Sequence, residues 1–388
     1  MTSENCIRSA PKNTLSPATP GMGGVTGRPP TAAMSTSGLT SSTADASTGG
    51  EEATLFEMLS RLNLSSVVKQ AVWIVIGFVA MACVAMLDYH IYSRIWYVVM
   101  VVCVGLIVYT SFFGSVRGGT RGWIAIGESF TFQATEVGKL GLILLLAKTI
   151  GMHEKLSTVK DLGYSFGVMI IFVAALLTQM DIGTSLVYVF IFLMMMFAGG
   201  MRWKHIGILA GVGIVCMVAL WFLMGEQQQS RILNFISGNE VEQLQYSKIA
   251  IGSGGFFGKG VLGDNAITQM DYIPAVETDF IFSAIGESLG FLGGIVLIVL
   301  YAVMEVRMWM LMRKASDRYG AMIIMGVMAM YMFHIFENIG MVIGIMPITG
   351  IPLPFVSYGG SSFLANMIGI GLVESVCMNR PIEPFTGK

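Results

Sequence analysis

Charge is what this chain has least of. Only 12% of its 388 residues are Asp, Glu, Lys or Arg, and they nearly cancel, to a net charge of −1. Such a surface has no polyanionic partner to attract, which argues against nucleic acid. Cysteine is sparse too: Cys6, Cys83, Cys103, Cys216 and Cys377 are scattered, four of them inside apolar runs, so they read as small packing residues and not as a disulfide framework. The four histidines show no ligand spacing with them. No Ser-His-Asp arrangement and no nucleotide fingerprint is present. Lys259 in the stretch 251–265 stands in a glycine-rich run, but Ser253 and Gly260 occupy positions where a phosphate loop needs Gly and Ser or Thr.

What the chain has instead is hydrocarbon. It is 54% hydrophobic, with a mean hydropathy of +0.71, values that belong to membrane proteins. Residues 1–52 are the exception: rich in Ser, Thr, Gly, Pro and Ala, they cannot bury enough surface to offset ordering entropy and are expected to be a disordered tail without a signal-peptide core. In residues 53–69, Leu55, Met58, Leu59, Leu62 and Leu64 fall at helical spacing, which predicts a short interfacial helix. Runs long enough to cross about 30 Å of hydrocarbon follow. They lie near 70–87, 95–113, 134–150, 163–179, 182–199, 205–224, 279–304, 320–345 and 361–378. The expected fold is all-α, a polytopic membrane helical bundle of about nine spans, with 70–378 as the membrane domain and 379–388 as a cytoplasmic tail.

Arg94, Lys148, Lys155, Lys160, Arg202, Lys204, Arg307, Arg313, Lys314, Arg318, Arg380 and Lys388 fall on one side of this bundle. Arg117, Arg121, Arg231, Lys248 and Lys259 fall on the other. The positive-inside rule makes the first side cytoplasmic, C-terminus included, and the long segment 225–278 an extracytoplasmic loop.

Four places carry chemistry. Residues 346–363 (MPITGIPLPFVSYGGSSF) are apolar yet built of Pro and Gly, so they predict a re-entrant segment that is tolerated only where protein or a watery cavity satisfies its backbone. Glu136 and Lys139 share a helix face at the outer end of a span, either as a structural ion pair or as part of a site. Asp279, Ser283 and Glu287 stack down one face of another helix and would line a cavity. His334, Glu337 and Asn338 form a further cluster, in which His334 and Glu337 are expected to satisfy each other. Asp181 and Arg231 are weaker signals. An outward cavity of carboxylates and a few cations suits proton abstraction on an anionic, lipid-linked substrate.

The blocks IGSGGFFGKG (251–260), ETDFIFSAIGESLGFLG (277–293) and ENIGMVIGIMPITGIPLPFVSYGGSS (337–362) resemble the SEDS family of bacterial shape, elongation, division and sporulation proteins, in its elongation-type, RodA-like branch. RGWI (121–124), QATEVGKL (133–140) and MDIGTSL (180–186) add to the resemblance, which runs from about residue 67 to 378. It implies a multi-pass protein of the bacterial plasma membrane that polymerises lipid II into glycan strands beside a class B penicillin-binding protein. It implies Asp279, in its TDFIF context, as the base. It further implies Glu136 and Lys139 as a substrate-binding pair, and a divalent cation, Mg or Mn, near the pyrophosphate. Arg231, Lys248, Lys259 and Ser361 are the remaining candidates for substrate binding. A flippase for the same lipid, or a non-catalytic scaffold for the penicillin-binding protein, stay open as alternatives. Three departures stand out: no counterpart of the family's first helix, Gly122 where the family has Arg, and Tyr246 where it has Gln.

Overall fold

A computed structural model of the chain describes residues 64–379 except 118–119, 127–129, 154–158, 180, 203, 206, 210, 212, 214–220, 223–224, 238–240, 262–265 and 270–271. The expected 1–52 tail, most of the expected 53–69 helix and the 380–388 end lie outside the described residues. Eleven α-helices can be followed: α1 (Leu64–Met86), α2 (His90–Arg94), α3 (Trp96–Phe113), α4 (Ala134–Gly151), α5 (Val159–Leu177), α6 (Ile182–Ala198), α7 (Glu226–Ser237), α8 (Glu242–Ser253), α9 (Ile281–Arg313), α10 (Arg318–Ile343) and α11 (Gly360–Met378). Helices occupy each expected run except 205–224, which lies largely outside the described residues. Leu64 to Lys69 form the first turns of α1.

Among the described residues five helices are long and apolar enough to cross a membrane: α3, α9, α10, α11 and, from Ser66, α1. The 18 residues of α3 rise about 27 Å, the thickness of the hydrocarbon. α9 is broken at Gly290, and the 23 residues that follow it to Arg313 alone rise about 35 Å, enough to cross the hydrocarbon. Lipid-facing and protein-facing helices separate cleanly by burial. α1 is 6% buried over its apolar window, whereas α10 is 78% buried and forms the axis of the bundle. The main core packs α10 against α4 and α6, with α5 against α4 and α6, through residues such as Ile143, Leu146, Phe172, Tyr188, Met195 and Tyr331. α1 is attached by close backbone approach to α11. A methyl on Gly77 would come within 2.7 Å of Phe363, and one on Gly371 within 2.7 Å of the Met81 carbonyl. Small residues are how helices associate where lipid removes the hydrophobic drive.

Helix ends follow local chemistry. The Asp317 carboxylate caps α10 by accepting from the Gly320 amide at 2.9 Å, and α10 stops at Gly344, whose φ of 84° closes the left-handed C-terminal turn. Asp181 caps α6, accepting from the amide and hydroxyl of Thr184.

One element departs from an all-α reading. Between α3 and α4 the chain forms a three-stranded antiparallel sheet in the order β1 (Ser115–Arg117), β2 (Thr120–Ile126), β3 (Phe130–Gln133). Arg117 pairs with Thr120 across Gly118-Gly119, a dipeptide that favours hairpins. The strands are short, which is why helical periodicity passes over them.

A candidate active site on a doubly pinned turn

A second, smaller apolar cluster of Ala250, Ile273, Phe280, Phe282, Tyr301, Met341, Val342 and Leu353 joins α8, α9, α10 and the irregular segment 346–359. Asp279 sits at its edge, two residues before α9 begins, half-buried. The backbone around it is fixed from both sides. The amides of Thr278, Asp279 and Phe280 all converge on the Ala275 carbonyl, at 3.2, 3.0 and 3.3 Å. Ala275 reaches that geometry by taking φ 59°, unusual for a residue with a Cβ. In the other direction, the carbonyls of Glu277, Thr278 and Asp279 each accept from a different donor. These are the Tyr358 amide at 2.8 Å, the Ser357 hydroxyl at 2.5 Å and the Asn338 side-chain amide at 2.9 Å. Every polar backbone group of Asp279 therefore has a partner, and the carboxylate projects from a rigid mount.

The Pro/Gly segment supplies most of that mount. Its own ends are held by Tyr301, which donates to the Pro354 carbonyl at 2.6 Å, and by Thr349, which donates to Glu337 at 2.9 Å. Gly350, at φ 77°, lies against the carboxylate, and a methyl there would stand 3.2 Å from Asp279 Oδ2. Burial holds the Asp279 carboxyl above the usual carboxylate range, against weaker opposing pulls from the Thr278 hydroxyl and the Arg231 guanidinium. A raised carboxyl is the better proton acceptor at neutral pH.

Glu136 and Lys139 do form an ion pair, at 2.8 Å, and both are almost wholly buried. Lys139 also donates to His334 Nε2 at 2.9 Å. His334 Nδ1 faces the Met330 carbonyl at 2.8 Å, so the ring carries its proton on Nδ1 and is neutral. The expected His334–Glu337 partnership is thus replaced: His334 serves Lys139, and Glu337 serves Thr349. Both lie on the Met330–Asn338 face of α10, but the partners that satisfy them come from α4 and from the irregular segment, which spacing along one helix cannot reveal. Thr349 also packs on Gly183 at the start of α6, beside Asp181, whose carboxyl feels both Lys139 and Glu136.

Ser283 and Glu287 do not line an open cavity. Ser283 is buried against Ser247 at 2.7 Å, and Ser247 donates on to the Val342 carbonyl at 2.9 Å. Glu287 is fully buried and takes Lys259 at 2.8 Å, so the Lys259 ammonium is committed to the fold. Lys248 lies against Gly344 at the C-terminus of α10, where a cation complements the helix dipole. Ser361 is buried in the first turn of α11. Of the predicted cations, Arg231 is the one whose charge reaches Asp279. Ser357 and Tyr358 are the members of the site that residue type alone did not single out, and Asn338, read from the sequence as part of the His334–Glu337 cluster, belongs instead to the mount of Asp279.

A model of the cell cycle protein family FtsW/RodA/SpoVE matches residues 52–381. The peptidoglycan glycosyltransferase MrdB of Escherichia coli K12 is 33% identical over 318 residues, covering 79% of this chain and 84% of its own. The stage V sporulation protein E of Bacillus subtilis is 34% identical over 320 residues, with 79% and 86% covered. Among solved structures, a chain of a peptidoglycan synthase complex that coordinates polymerization and crosslinking superposes with a TM-score of 0.71 at 28% identity. That likeness covers 81% of this chain and 90% of the other.

Proposed function

The chain belongs to the FtsW/RodA/SpoVE family of cell cycle proteins, and from that premise we propose that it polymerises lipid II into glycan strands at the outer face of the bacterial plasma membrane, with Asp279 as its base. The protein is a peptidoglycan glycosyltransferase of the RodA-like SEDS type. The observation that carries the assignment of the base is the turn 277–279, pinned on both sides, presenting a half-buried carboxylate at the mouth of a membrane bundle. In the reaction an acceptor sugar hydroxyl attacks the anomeric carbon of a second lipid-linked sugar. The new C–O bond forms as the bond to the lipid pyrophosphate breaks, the pyrophosphate leaves with the electron pair, and the hydroxyl proton passes to Asp279.

Arg231, whose charge acts on that carboxyl, suits the departing pyrophosphate, because a guanidinium offers paired donors to phosphate oxygens. Lys248, at the far end of α10, is a second cation on the same side. Glu136 and Lys139, buried and paired with each other and with His334, are the substrate-binding pair this reading keeps for the site. Among the described residues no three His, Cys, Asp or Glu side chains gather. A cation that arrives on the substrate pyrophosphate needs fewer protein ligands.

The membrane arrangement we propose is multi-pass, with about nine spans, a re-entrant 346–359 segment, 225–278 outside and the C-terminus in the cytoplasm. Single cysteines at 272 and 385 test it in intact cells. A membrane-impermeant maleimide should label the first and not the second, and the reverse pattern would overturn the topology and the mechanism together.

The partner we propose is a class B penicillin-binding protein, which would cross-link the strands. Purified protein given fluorescent lipid II should yield a ladder of glycan products, and addition of the partner should raise the rate. A protein that binds the partner but makes no ladder alone or with it would be a scaffold, and the enzymatic reading would fall.

A further inference from the structure

The Asn338 side chain has one NH₂ group, and both of its hydrogens are used on carbonyls from different segments. One goes to Asp279 at 2.9 Å and the other to Ile351 at 2.8 Å. Asn338 is itself fully buried in the middle of the polar face of α10. Those two carbonyls belong to the turn that carries the carboxylate and to the segment that presses Gly350 against it. Thr349 also ties the segment to α10 through Glu337, and Ser357 and Tyr358 join the turn to the segment, but among the described residues Asn338 alone hydrogen-bonds to both the turn and the segment.

We propose that Asn338 is a positioning residue for the transfer reaction, setting the register between Asp279 and Gly350 so that the carboxylate meets the acceptor hydroxyl. The inference rests on the reading of Asp279 as the base. Its physical content is preorganisation: reacting groups must be held to a fraction of an ångström, and a displacement of about 1 Å can cost on the order of 100-fold in rate. A side-chain amide suits the task better than any other residue of its size. It offers two donors in a fixed plane, whereas Asp would turn two acceptors toward two carbonyls and Leu would leave both carbonyls buried without a partner.

A role confined to stability and a role in positioning predict different measurements. Loss of the clamp lets the 277–279 turn relax toward water, so the Asp279 carboxyl loses part of the desolvation that raises it. The groups that face that carboxyl are Arg231 from α7 and Thr278 from its own turn. α10 presents neutral Asn338, with Glu337 engaged by Thr349, and the irregular segment presents Gly350. None of these changes charge in the variant, so the shift reports the geometry.

The test is lipid II polymerisation by the full-length protein carrying Asn338→Ala, with rate measured against pH and substrate concentration. The expected result is a kcat lowered roughly 10–100-fold, a KM for lipid II within about twofold of wild type, and an acid limb moved to lower pH. Ser357→Ala, which frees the neighbouring Thr278 carbonyl, should move the acid limb the same way by less, and it decides the matter if Asn338→Ala does not fold. Unchanged kcat and an unchanged acid limb in folded Asn338→Ala would overturn the proposal while leaving the Asp279 assignment standing. An Asp279→Asn enzyme with normal activity would remove the assignment itself.

Discussion

Asp279→Asn protein should insert and fold like wild type and make no glycan ladder from lipid II. A sugar hydroxyl is a poor nucleophile at neutral pH, and a positioned carboxylate that takes its proton typically contributes on the order of 10²–10⁴-fold. Asn keeps the shape and every backbone hydrogen bond of the turn but cannot accept the proton. The effect on stability has a sign as well. Burial raises the carboxyl of Asp279 in the folded protein, so the stability this group contributes is fully present below its unfolded value and lost as pH rises through its folded value. At neutral pH the neutral amide escapes that loss, and the melting temperature of the variant in detergent should match or exceed that of wild type. Glu277→Gln is expected to be mild, because Glu277 is exposed and the fold uses its carbonyl, which the Tyr358 amide holds. Polymerisation by Asp279→Asn near the wild-type rate would end the assignment.

Glu287→Ala should release residues 254–261 and 266–268 from α9. The Glu287 carboxylate accepts from Lys259 at 2.8 Å, from the Ile267 and Thr268 amides at 2.8 and 2.9 Å, from the Thr268 hydroxyl at 2.7 Å and from Ser253 at 3.3 Å. Removing one partner of such a buried arrangement costs about 3–5 kcal/mol, because the other groups stay behind unpaired. The same docking heals a break in α9. Gly290 takes φ 67° and ψ −166°, a conformation open in practice only to glycine, and the helix loses hydrogen bonds there. The glycine-rich run restores them. The Lys259 and Gly260 amides donate to the Glu287 and Ser288 carbonyls, and the Phe291 and Leu292 amides donate to Gly255 and Phe256. A methyl on Gly258 would run into the Ser288 carbonyl, so backbone must lie directly on backbone. Trypsin should therefore cut after Lys259 slowly in wild type and rapidly in Glu287→Ala, and amide exchange at Phe291 and Leu292 should rise in step. Equal cleavage and exchange in the two proteins would show that Glu287 does not hold this segment.

Much of this molecule was legible without coordinates. Lipid demands that each spanning segment bury its own backbone hydrogen bonds in a run of about 20 apolar residues, and such runs announce themselves, as α3, α10 and α11 do. Asp279 stood out because a carboxylate at the edge of an apolar helix is costly and rarely incidental, and the motif around it carried the family. Spacing along one helix also brought Glu136 together with Lys139, since residues three apart share a face.

The sequence could not tell which polar residue meets which across the bundle. His334 and Glu337 are neighbours by periodicity, yet the first is claimed by Lys139 and the second by Thr349. Glu287 shares a face with Asp279 by count, yet it is consumed by a loop that begins more than 30 residues earlier. The Pro/Gly segment was readable as irregular and in need of partners, but its role as the mount for Asp279 depends on three successive carbonyls meeting Tyr358, Ser357 and Asn338. Hydrogen bonds between distant segments are short-ranged and directional, so they depend on how helices pack. That packing is set by side-chain volumes summed over the whole core, which no local pattern encodes.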